Sequence, residues 1–148
     1  MDISALIDTE LIIFDEDIQS KDELFEMLGK TIEESSRGTK AKKIIKDLYK
    51  REKETSTGIE DGFGIPHTKS RAIIKPTVCF VRTGKIQDYR GFDDQPIECV
   101  FAIFVPKSSS DVHLEILSSL SRKLMDENLR KKIKDTKNSE DIIRIISE

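Results

Sequence analysis

The stretch Cys99-Val100-Phe101-Ala102-Ile103-Phe104-Val105 decides the fold of this chain, because it is the most apolar run in the sequence. Apolar and polar residues do not alternate within it, which is typical of a central strand covered on both faces. Pro106 follows directly and ends the strand, since proline has no N–H to contribute to a sheet. The sequence therefore predicts a sheet built around a buried strand at residues 99–105.

Further strands and helices surround this run. Val78–Val81 predicts a second buried strand, Leu11–Phe14 predicts a short edge strand, and the turn-rich residues 84–96 leave room for a short strand near Ile86. Helical spacing predicts a first helix capped by Ser20 and Glu23, with Leu24, Phe25, Leu28 and Ile32 on one face. It predicts a second helix from about Thr39 to residues 51–53, and a third that follows residues 108–111 and ends near Met125. Two short helices are predicted at residues 128–134 and 139–146, the last with Ile142, Ile143 and Ile146 facing inward. Strands interleaved with helices indicate an α/β layered domain.

Size, charge and cysteine content narrow the class of protein. A chain of 148 residues fits one domain, since domains typically run to about 100–150 residues. The net charge of −3 gives no general attraction to nucleic acid or anionic lipid. No segment has the pattern of a signal peptide or a membrane span, so a cytoplasmic location is expected. Cys79 and Cys99 lie in apolar runs, where reduced and buried thiols are expected.

The segment from Glu54 to Ser70 shows no periodicity and predicts a loop of about 17 residues, a length that is usually functional or disordered. It contains Gly62-Phe63-Gly64-Ile65-Pro66-His67, in which Pro66 stiffens the backbone that leads into His67. An unperturbed imidazole is largely neutral and nucleophilic at neutral pH. The pattern therefore suggests a histidine that is displayed on an irregular loop and can be phosphorylated, whereas an ordinary surface histidine in a turn is the alternative.

The second histidine, His113, lies at the start of the third predicted helix. It shares one helical face with Ile116, Leu117, Leu120 and Leu124, yet it sits within two or three residues of the helix N-terminus. That end of a helix favours an anion and a neutral imidazole, so His113 could donate a hydrogen bond to a phosphoryl oxygen. A packed core histidine is the alternative. Arg51, just before the loop, either complements a phosphoryl group or only stabilises its own helix C-terminus.

In combination, these motifs resemble the enzyme IIA proteins of the fructose/mannitol/nitrogen-regulatory class of the bacterial phosphoenolpyruvate-dependent sugar phosphotransferase system. The resemblance covers almost the whole chain from about residue 3, which implies one such domain over residues 1–148. It also implies a mixed α/β sandwich, with a central mixed β-sheet flanked by helices. The motifs that carry it are Arg51-Glu52, residues 56–59, residues 62–67, residues 93–97, the strand that ends at residues 104–106, His113-Leu114 with Leu117 and Leu120, and residues 124–127.

By that resemblance, His67 is phosphorylated by the phosphohistidine of the carrier protein HPr or its paralogue. The group then passes to a cysteine of an enzyme IIB partner for fructose- or mannitol-type sugar uptake, or the phosphorylation state itself regulates partner proteins, as in the nitrogen-regulatory branch. His113 corresponds to a second active-site histidine and Arg51 to an arginine beside the phosphate. The residues do not determine which ring nitrogen of His67 reacts; Nε2, which gives a tele-phosphohistidine, is the expectation. Neither a metal nor another cofactor is implied.

Four further expectations follow from the residues. The amino-acid sequence of residues 120–127 slightly favours the fructose-type branch of the family. The adjacent carboxylates of Glu60 and Asp61 are expected to face solvent or a basic partner, because they would disturb a nearby phosphate. A zinc site built from His67, Cys79, Cys99 and His113 is disfavoured, since no closely spaced cysteine pair exists. A nucleic-acid interface is disfavoured as well, because no aromatic platform accompanies the basic residues Lys40, Lys42, Lys43, Lys46, Lys50 and Arg51 or residues 130–132.

Overall fold

The computed structural model describes residues 2–109 and 111–148, and its centre is a mixed five-stranded sheet. Two 3-10 turns, Ile3–Ala5 and Thr9–Leu11, precede the sheet. The strands run in the order β1-β4-β5-β2, and β3 also pairs with β5. β4 and β5 are antiparallel, whereas β1 is parallel to β4, and β2 and β3 are both parallel to β5. The strands are β1 (Ile12–Asp15), β2 (Phe63–Gly64), β3 (His67–Ser70), β4 (Thr77–Arg90) and β5 (Pro96–Pro106).

Strand β5 is the predicted central strand, and every residue from 99 to 105 in it is buried. Because successive side chains of a strand point to opposite faces, unbroken burial means that both faces are covered. Two groups of helices provide that cover: α1 packs on α2, and α3, α4 and α5 contact one another along the chain. The helices are α1 (Lys21–Glu34), α2 (Ala41–Glu52), α3 (Val112–Leu124), α4 (Glu127–Asp135) and α5 (Ser139–Ile146). The expected α/β sandwich, with a central mixed sheet flanked by helices, is confirmed.

The predicted helix patterns are confirmed with small corrections. Ser20 caps α1 by accepting a hydrogen bond from the Glu23 amide, and the Glu23 carboxylate reaches back to the Gln19 amide. In α5 the predicted inward-facing Ile143 is only partly buried, and Ile145 is buried in its place. Of the cap candidates for α3, Asp111 makes no side-chain capping bond, and Ser110 lies outside the described residues.

Strand β4 is longer than the sequence predicts. Residues 84–90, expected as part of a turn-rich connection with room for a short strand near Ile86, continue β4 with one irregularity of register on either side of Ile86. Ile86 and Tyr89 are buried, whereas Lys85, Gln87 and Asp88 are exposed, because one side of this part of the strand faces water. The irregular register breaks the strict alternation that would have revealed the strand.

The predicted 17-residue loop also contains two strands. Phe63 and Gly64 pair with Cys99 and Val100, and His67 begins β3 opposite Ile103. Pro66 separates the two strands, since it lacks the N–H needed to continue the ladder, but its carbonyl accepts from the Ile103 amide at 3.0 Å. The prediction that His67 lies on an irregular loop is therefore wrong: a strand that is paired with the centre of the sheet holds it.

The expectation that Glu60 and Asp61 face solvent or a partner is met only in part: their side chains stay 44% and 42% exposed, but both pair with a basic residue of this chain. Asp61 has a positive φ of 57°, and its carboxylate accepts hydrogen bonds from Arg130, at 3.0 Å, and from Lys134. Glu60 lies 3.8 Å from Arg130. Burial on its own would raise the pKa of Asp61, but the bonds from Lys134 and Arg130 outweigh it and lower the pKa. These ion pairs fasten the segment before His67 to helix α4.

Both cysteines are free and buried, as predicted, and burial raises the pKa of the Cys79 thiol to about 12 and that of Cys99 to about 11. Among the described residues, no group of three His, Cys, Asp or Glu side chains is placed to hold a metal ion. In the same ranges, no helix has both the length and the apolar character needed to cross a bilayer.

Candidate active site

A cavity of about 620 Å³ lies beside β3, between α2 and the first turn of α3, and it brings together the three predicted site residues. His67 contributes from the start of β3, Arg51 from the last turn of α2, and His113 from the first turn of α3. They are far apart in the sequence, and they meet because β3 pairs with β5 while α2 packs on β3 and α3 packs on β5. The predicted meeting of the two imidazoles in one pocket is thus found, although their chemical roles stay predictions.

Two fixed partners determine the tautomer of His67. Its Nδ1 lies 2.8 Å from the carbonyl oxygen of Ile65, which can only accept, so Nδ1 carries the proton. Its Nε2 lies 3.2 Å from Nε of Arg51, which can only donate, so Nε2 presents a lone pair. His67 is 9% exposed and lines the cavity, and its two ring contacts suit a neutral form with the unprotonated nitrogen beside a guanidinium.

The surroundings of His67 keep this neutral form at physiological pH. Burial is the largest influence and lowers the pKa below the ordinary 6.5, and the charges of Arg51 and His113 lower it further. The hydrogen bond to Ile65 and the carboxylate of Glu52 act in the opposite direction, but they do not prevail. A neutral imidazole is a nucleophile that needs no separate base.

Arg51 is positioned by the end of its own helix. While its Nε–H points to His67, its Nη1 donates a 3.1 Å hydrogen bond to the carbonyl of Thr55, just past the C-terminus of α2. Stabilisation of the helix end and contact with the histidine are therefore not alternatives, since one guanidinium does both. Its remaining N–H groups suit an anion in the cavity, because guanidinium binds phosphate oxygens with a fork of donors.

His113 has a different environment from His67. It is partly exposed, so it is not a packed core residue, and its Nδ1 atom is buried without a hydrogen-bond partner among the described residues. Burial lowers the pKa of His113, the charge of Lys69 lowers it further, and Asp111 opposes both. A buried ring nitrogen without a partner is costly, so His113 is the less well satisfied of the two imidazoles.

One part of the site was missed by sequence reasoning: a buried polar chain beneath His67. The Glu52 carboxylate accepts from the Thr57 amide at 2.7 Å and from the Thr57 hydroxyl at 2.6 Å. The Tyr89 hydroxyl lies 2.6 Å from the same Thr57 oxygen, and burial, with the charge of Glu52, raises the pKa of Tyr89. A sequence signal did exist, since Glu52 continues the buried stripe of Ile44 and Leu48 at a spacing of four residues.

This polar chain fixes the bend that carries His67. The Thr57 carbonyl accepts from the Ile65 amide at 3.0 Å, and Ile65 in turn accepts from His67. Gly64 is required beside it, because a Cβ at that position would lie 2.7 Å from the Tyr89 hydroxyl. Thr57 therefore links the end of α2, where Arg51 lies, to the backbone that orients the imidazole.

A mixed α/β sandwich with a cationic cavity around a histidine of lowered pKa has the chemistry that suits an anionic group. Residues 5–148 match the family described as "Phosphoenolpyruvate-dependent sugar phosphotransferase system, EIIA 2", and the chain belongs to this family. Proteins of the family are phosphotransferases that use a phosphohistidine intermediate.

Proteins named for sugar transport and proteins named for nitrogen regulation both resemble the chain. A "PTS system fructose-specific EIIA component" of Haloferax volcanii is 35% identical over 147 residues, which cover 99% of this chain and 96% of the relative. The crystal structure of "Nitrogen Regulatory Protein IIA-Ntr" from Neisseria meningitidis is 28% identical, with a TM-score of 0.89 over 97% of this chain and 98% of that one. A structure of Escherichia coli enzyme IIA for mannitol in complex with phosphorylated enzyme IIB shares the fold, at 17% identity and a TM-score of 0.78, covering 95% of this chain and 96% of that one.

Proposed function

We propose that this protein is a cytoplasmic phosphoryl carrier whose acceptor atom is Nε2 of His67. It takes the group from the phosphohistidine of HPr or a paralogue and passes it to a cysteine of an enzyme IIB partner, for sugar uptake of the fructose or mannitol type. The observation that carries the proposal is the fixed tautomer: Ile65 holds the proton on Nδ1, while the lone pair of Nε2 is directed to Arg51 beside the cavity.

In the transfer step, the bond from phosphorus to Nε2 of His67 forms as the bond from phosphorus to the donor nitrogen breaks. Nε2 has no proton to lose, so the step needs no base. The positive charge that develops on the ring is shared through Nδ1–H with the Ile65 carbonyl. Most of the catalysis then lies in positioning and charge stabilisation, as is general for phosphoryl transfer.

Arg51 and His113 would stabilise the transferred group. When phosphorus bonds to Nε2, the guanidinium loses its acceptor on the ring, and the new phosphoryl oxygens offer it a stronger one. The ring of His113 lines the same cavity and is kept neutral by its lowered pKa, so it can donate a hydrogen bond without adding charge. On transfer to an enzyme IIB cysteine, the bond from phosphorus to Nε2 breaks as the bond to the cysteine sulfur forms. The guanidinium of Arg51 then regains the lone pair of Nε2 as its acceptor.

The names of the relatives support a role as a phosphoryl carrier. They divide between two uses of such a carrier, sugar transport and regulation. The fructose-specific relative supports transport, and the mannitol structure from Escherichia coli is described as containing IIA together with phosphorylated IIB. The nitrogen-regulatory structure covers nearly the whole chain and supports the second candidate, in which phosphorylation of His67 controls partner proteins without sugar transport.

The proposal is tested by labelling with radioactive phosphoenolpyruvate in the presence of enzyme I and HPr. The wild-type protein is expected to gain acid-labile, alkali-stable phosphate, and the His67→Ala variant is expected to gain none. His113→Ala serves as the matched control, because it removes the other imidazole of the same cavity and should still be labelled, more slowly. Labelling of His67→Ala at the wild-type level would overturn the assignment.

A further inference from the structure

Arg130 of α4 contacts both of the segments that bring a histidine to the cavity. Its Nε donates to the carboxylate of Asp61 at 3.0 Å, and its Nη1 donates to the carbonyl of Leu124 at 2.7 Å. Asp61 lies six residues before His67 in the sequence. Leu124 is the last residue of α3, and the first turn of that helix carries His113. One guanidinium therefore joins the two segments that carry the histidines.

The contact on the side of the first histidine is made at a strained corner of the backbone. Asp61 has a φ of 57° and Gly62 a φ of 80°, and a positive φ is uncommon for a residue other than glycine. The Gly62 carbonyl then accepts from the amides of residues 98 and 99, at 2.8 and 2.9 Å, where β2 joins β5. Lys134 bonds to the same carboxylate as Arg130 and supports this corner. The corner thus sets where the paired segment that leads to the histidine begins.

The contact on the side of the second histidine is made at the end of a helix. The last carbonyls of a helix have no partner within it, and a buried carbonyl without a partner is costly. Arg130 is 9% exposed, and the bond that it donates to Leu124 is buried. From its first to its last residue, α3 rises about 18 Å. Because a helix of this length moves as one body, a displacement of its last turn also displaces His113.

We propose that Arg130 is a positioning residue of the active site, which sets the placement of His67 and His113 relative to each other. It does not line the cavity, so it acts through Asp61 and Leu124. Catalysis is sensitive to such placement, since a misplacement of about 1 Å can cost about 10²-fold in rate. The inference rests on the proposed function for the reaction itself, whereas the placement of the two imidazoles is a property of the fold.

The chain offers a matched control for Arg130. Arg37 likewise pairs with two carboxylates, those of Asp8 and Glu10, and likewise donates to a carbonyl at a helix end, that of Ser35 after α1. The side chains of Arg37 and Arg130 are 14% and 11% exposed, so the two clusters are similarly buried. Arg37 does not line the cavity either. Loss of either guanidinium should destabilise the fold, but only loss of Arg130 should change the histidines.

The test compares Arg130→Met with Arg37→Met, because methionine keeps an unbranched apolar side chain and removes the charge. Single-turnover transfer from the phosphorylated HPr-type carrier gives two quantities, the maximal rate constant and the carrier concentration that gives half of it. Arg130→Met should lower the maximal rate constant about 10- to 100-fold and leave the half-saturating concentration nearly unchanged, since the reacting groups are misplaced. Arg37→Met should keep both wild-type values wherever it is folded.

An NMR titration tests the placement without any transfer. Burial and the charge of Lys69 lower the pKa of His113. Displacement of α3 should therefore raise that pKa in Arg130→Met, and the pKa should be unchanged in Arg37→Met. Arg130→Lys separates position from charge, because a compact ammonium lacks the planar fork that binds both partners at once. It should recover only part of the maximal rate constant.

The proposal is overturned if folded Arg130→Met keeps either the wild-type maximal rate constant or the wild-type pKa of His113. It is also overturned if Arg37→Met shows the same changes, since lost stability would then explain both. Full recovery in Arg130→Lys overturns it as well, because the charge alone would then suffice.

If Arg130→Met does not fold, Asp61→Asn takes its place. Asparagine tolerates a positive φ but carries no charge, so this variant keeps the corner while it weakens the contact with Arg130. Its maximal rate constant should fall, and an unchanged value would overturn the proposal. If the wild-type protein accepts no phosphate at all, the proposed function fails, whereas the titration of His113 still decides whether Arg130 positions the histidines.

Discussion

The two histidines of the cavity are held in opposite ways. His67 starts a strand paired with the centre of the sheet, is buried, and has a fixed partner at each ring nitrogen. His113 lies in the first turn of a helix, is partly exposed, and has a buried nitrogen without a partner. The sheet thus fixes the orientation and the tautomer of one imidazole, whereas the helix leaves the other with a ring nitrogen that no described residue binds. Under the proposed function, the first ring is the nucleophile and the second contacts the transferred group.

Among changes to the surroundings of the two histidines, removal of Arg51 should have the largest effect on the rate of His67 phosphorylation. We expect Arg51→Ala to slow phosphorylation of His67 by about 10²–10³-fold, the usual cost of losing one preorganised charge-stabilising donor. The measurement is the rate of labelling from phosphorylated HPr. Arg51→Lys keeps the charge but not the fork of donors, so it should recover only part of the rate.

The same variant gives an independent check. Because the charge of Arg51 lowers the pKa of His67, Arg51→Ala should raise that pKa in an NMR titration. An unchanged rate together with an unchanged pKa would show that the contact between the guanidinium and the ring has no role.

Loss of the second imidazole should have a smaller effect. We expect His113→Ala to slow labelling about tenfold, the equivalent of one hydrogen bond in the transition state. His113→Gln keeps a donor of similar reach and should recover part of the rate. If His113→Ala abolishes labelling as completely as His67→Ala does, the comparison is wrong, because His113 would then be an acceptor in its own right.

The polar chain beneath His67 should act on stability and on one pKa. Glu52→Gln places an amide where the Thr57 amide and hydroxyl both donate, and we expect it to lower the free energy of unfolding by about 1–3 kcal/mol. Because Glu52 raises the pKa of His67, the variant should also lower that pKa. Denaturant unfolding and NMR titration measure the two effects.

Tyr89→Phe is the matched control for Glu52→Gln. It removes one hydrogen bond from the chain but keeps the carboxylate, so it should cost about 1 kcal/mol without moving the pKa of His67. Equal shifts of that pKa in both variants would contradict the electrostatic explanation and favour a purely structural one.

The smallest expected effect is a dependence of stability on pH. The folded state lowers the pKa of His67 below 6.5, so the unfolded chain takes up a proton more readily. The resulting stability is present above pH 6.5 and is lost as the pH falls through the folded pKa. Unfolding curves at several pH values should show this loss in the wild type and a smaller one in His67→Gln. An equal loss in both would contradict the lowered pKa.

Sequence reasoning succeeded where a structure follows from a local pattern. The apolar run of β5 and the buried faces of α1 and α3 can be recognised within a few residues of themselves. It failed for β2 and β3, because strands of two and four residues have no measurable period and are defined by pairing with β5, more than 30 residues away. The end of β4 was not recognised as a strand either, because the register shifts on either side of Ile86 interrupt the alternation of buried and exposed residues.

The candidate active site shows the same limit of prediction from local sequence patterns. His67 and His113 stand out as the two histidines of the chain, but their placement in one cavity follows from contacts between distant segments, since β3 pairs with β5 and α3 packs on β5. The partners of Asp61 come from α4, 69 and 73 residues further along, and nothing near Asp61 points to them. Glu52 could have been found, because a carboxylate on a buried helical stripe needs buried donors.

The most direct test of the central claim is the nitrogen that carries phosphorus. Protein labelled with ¹⁵N in its histidines is phosphorylated through HPr, and the ring nitrogens are then observed by NMR for coupling to ³¹P. We expect a single phosphorylated nitrogen, Nε2 of His67, with the proton retained on Nδ1. Phosphorus on Nδ1 of His67, or on His113, would contradict it.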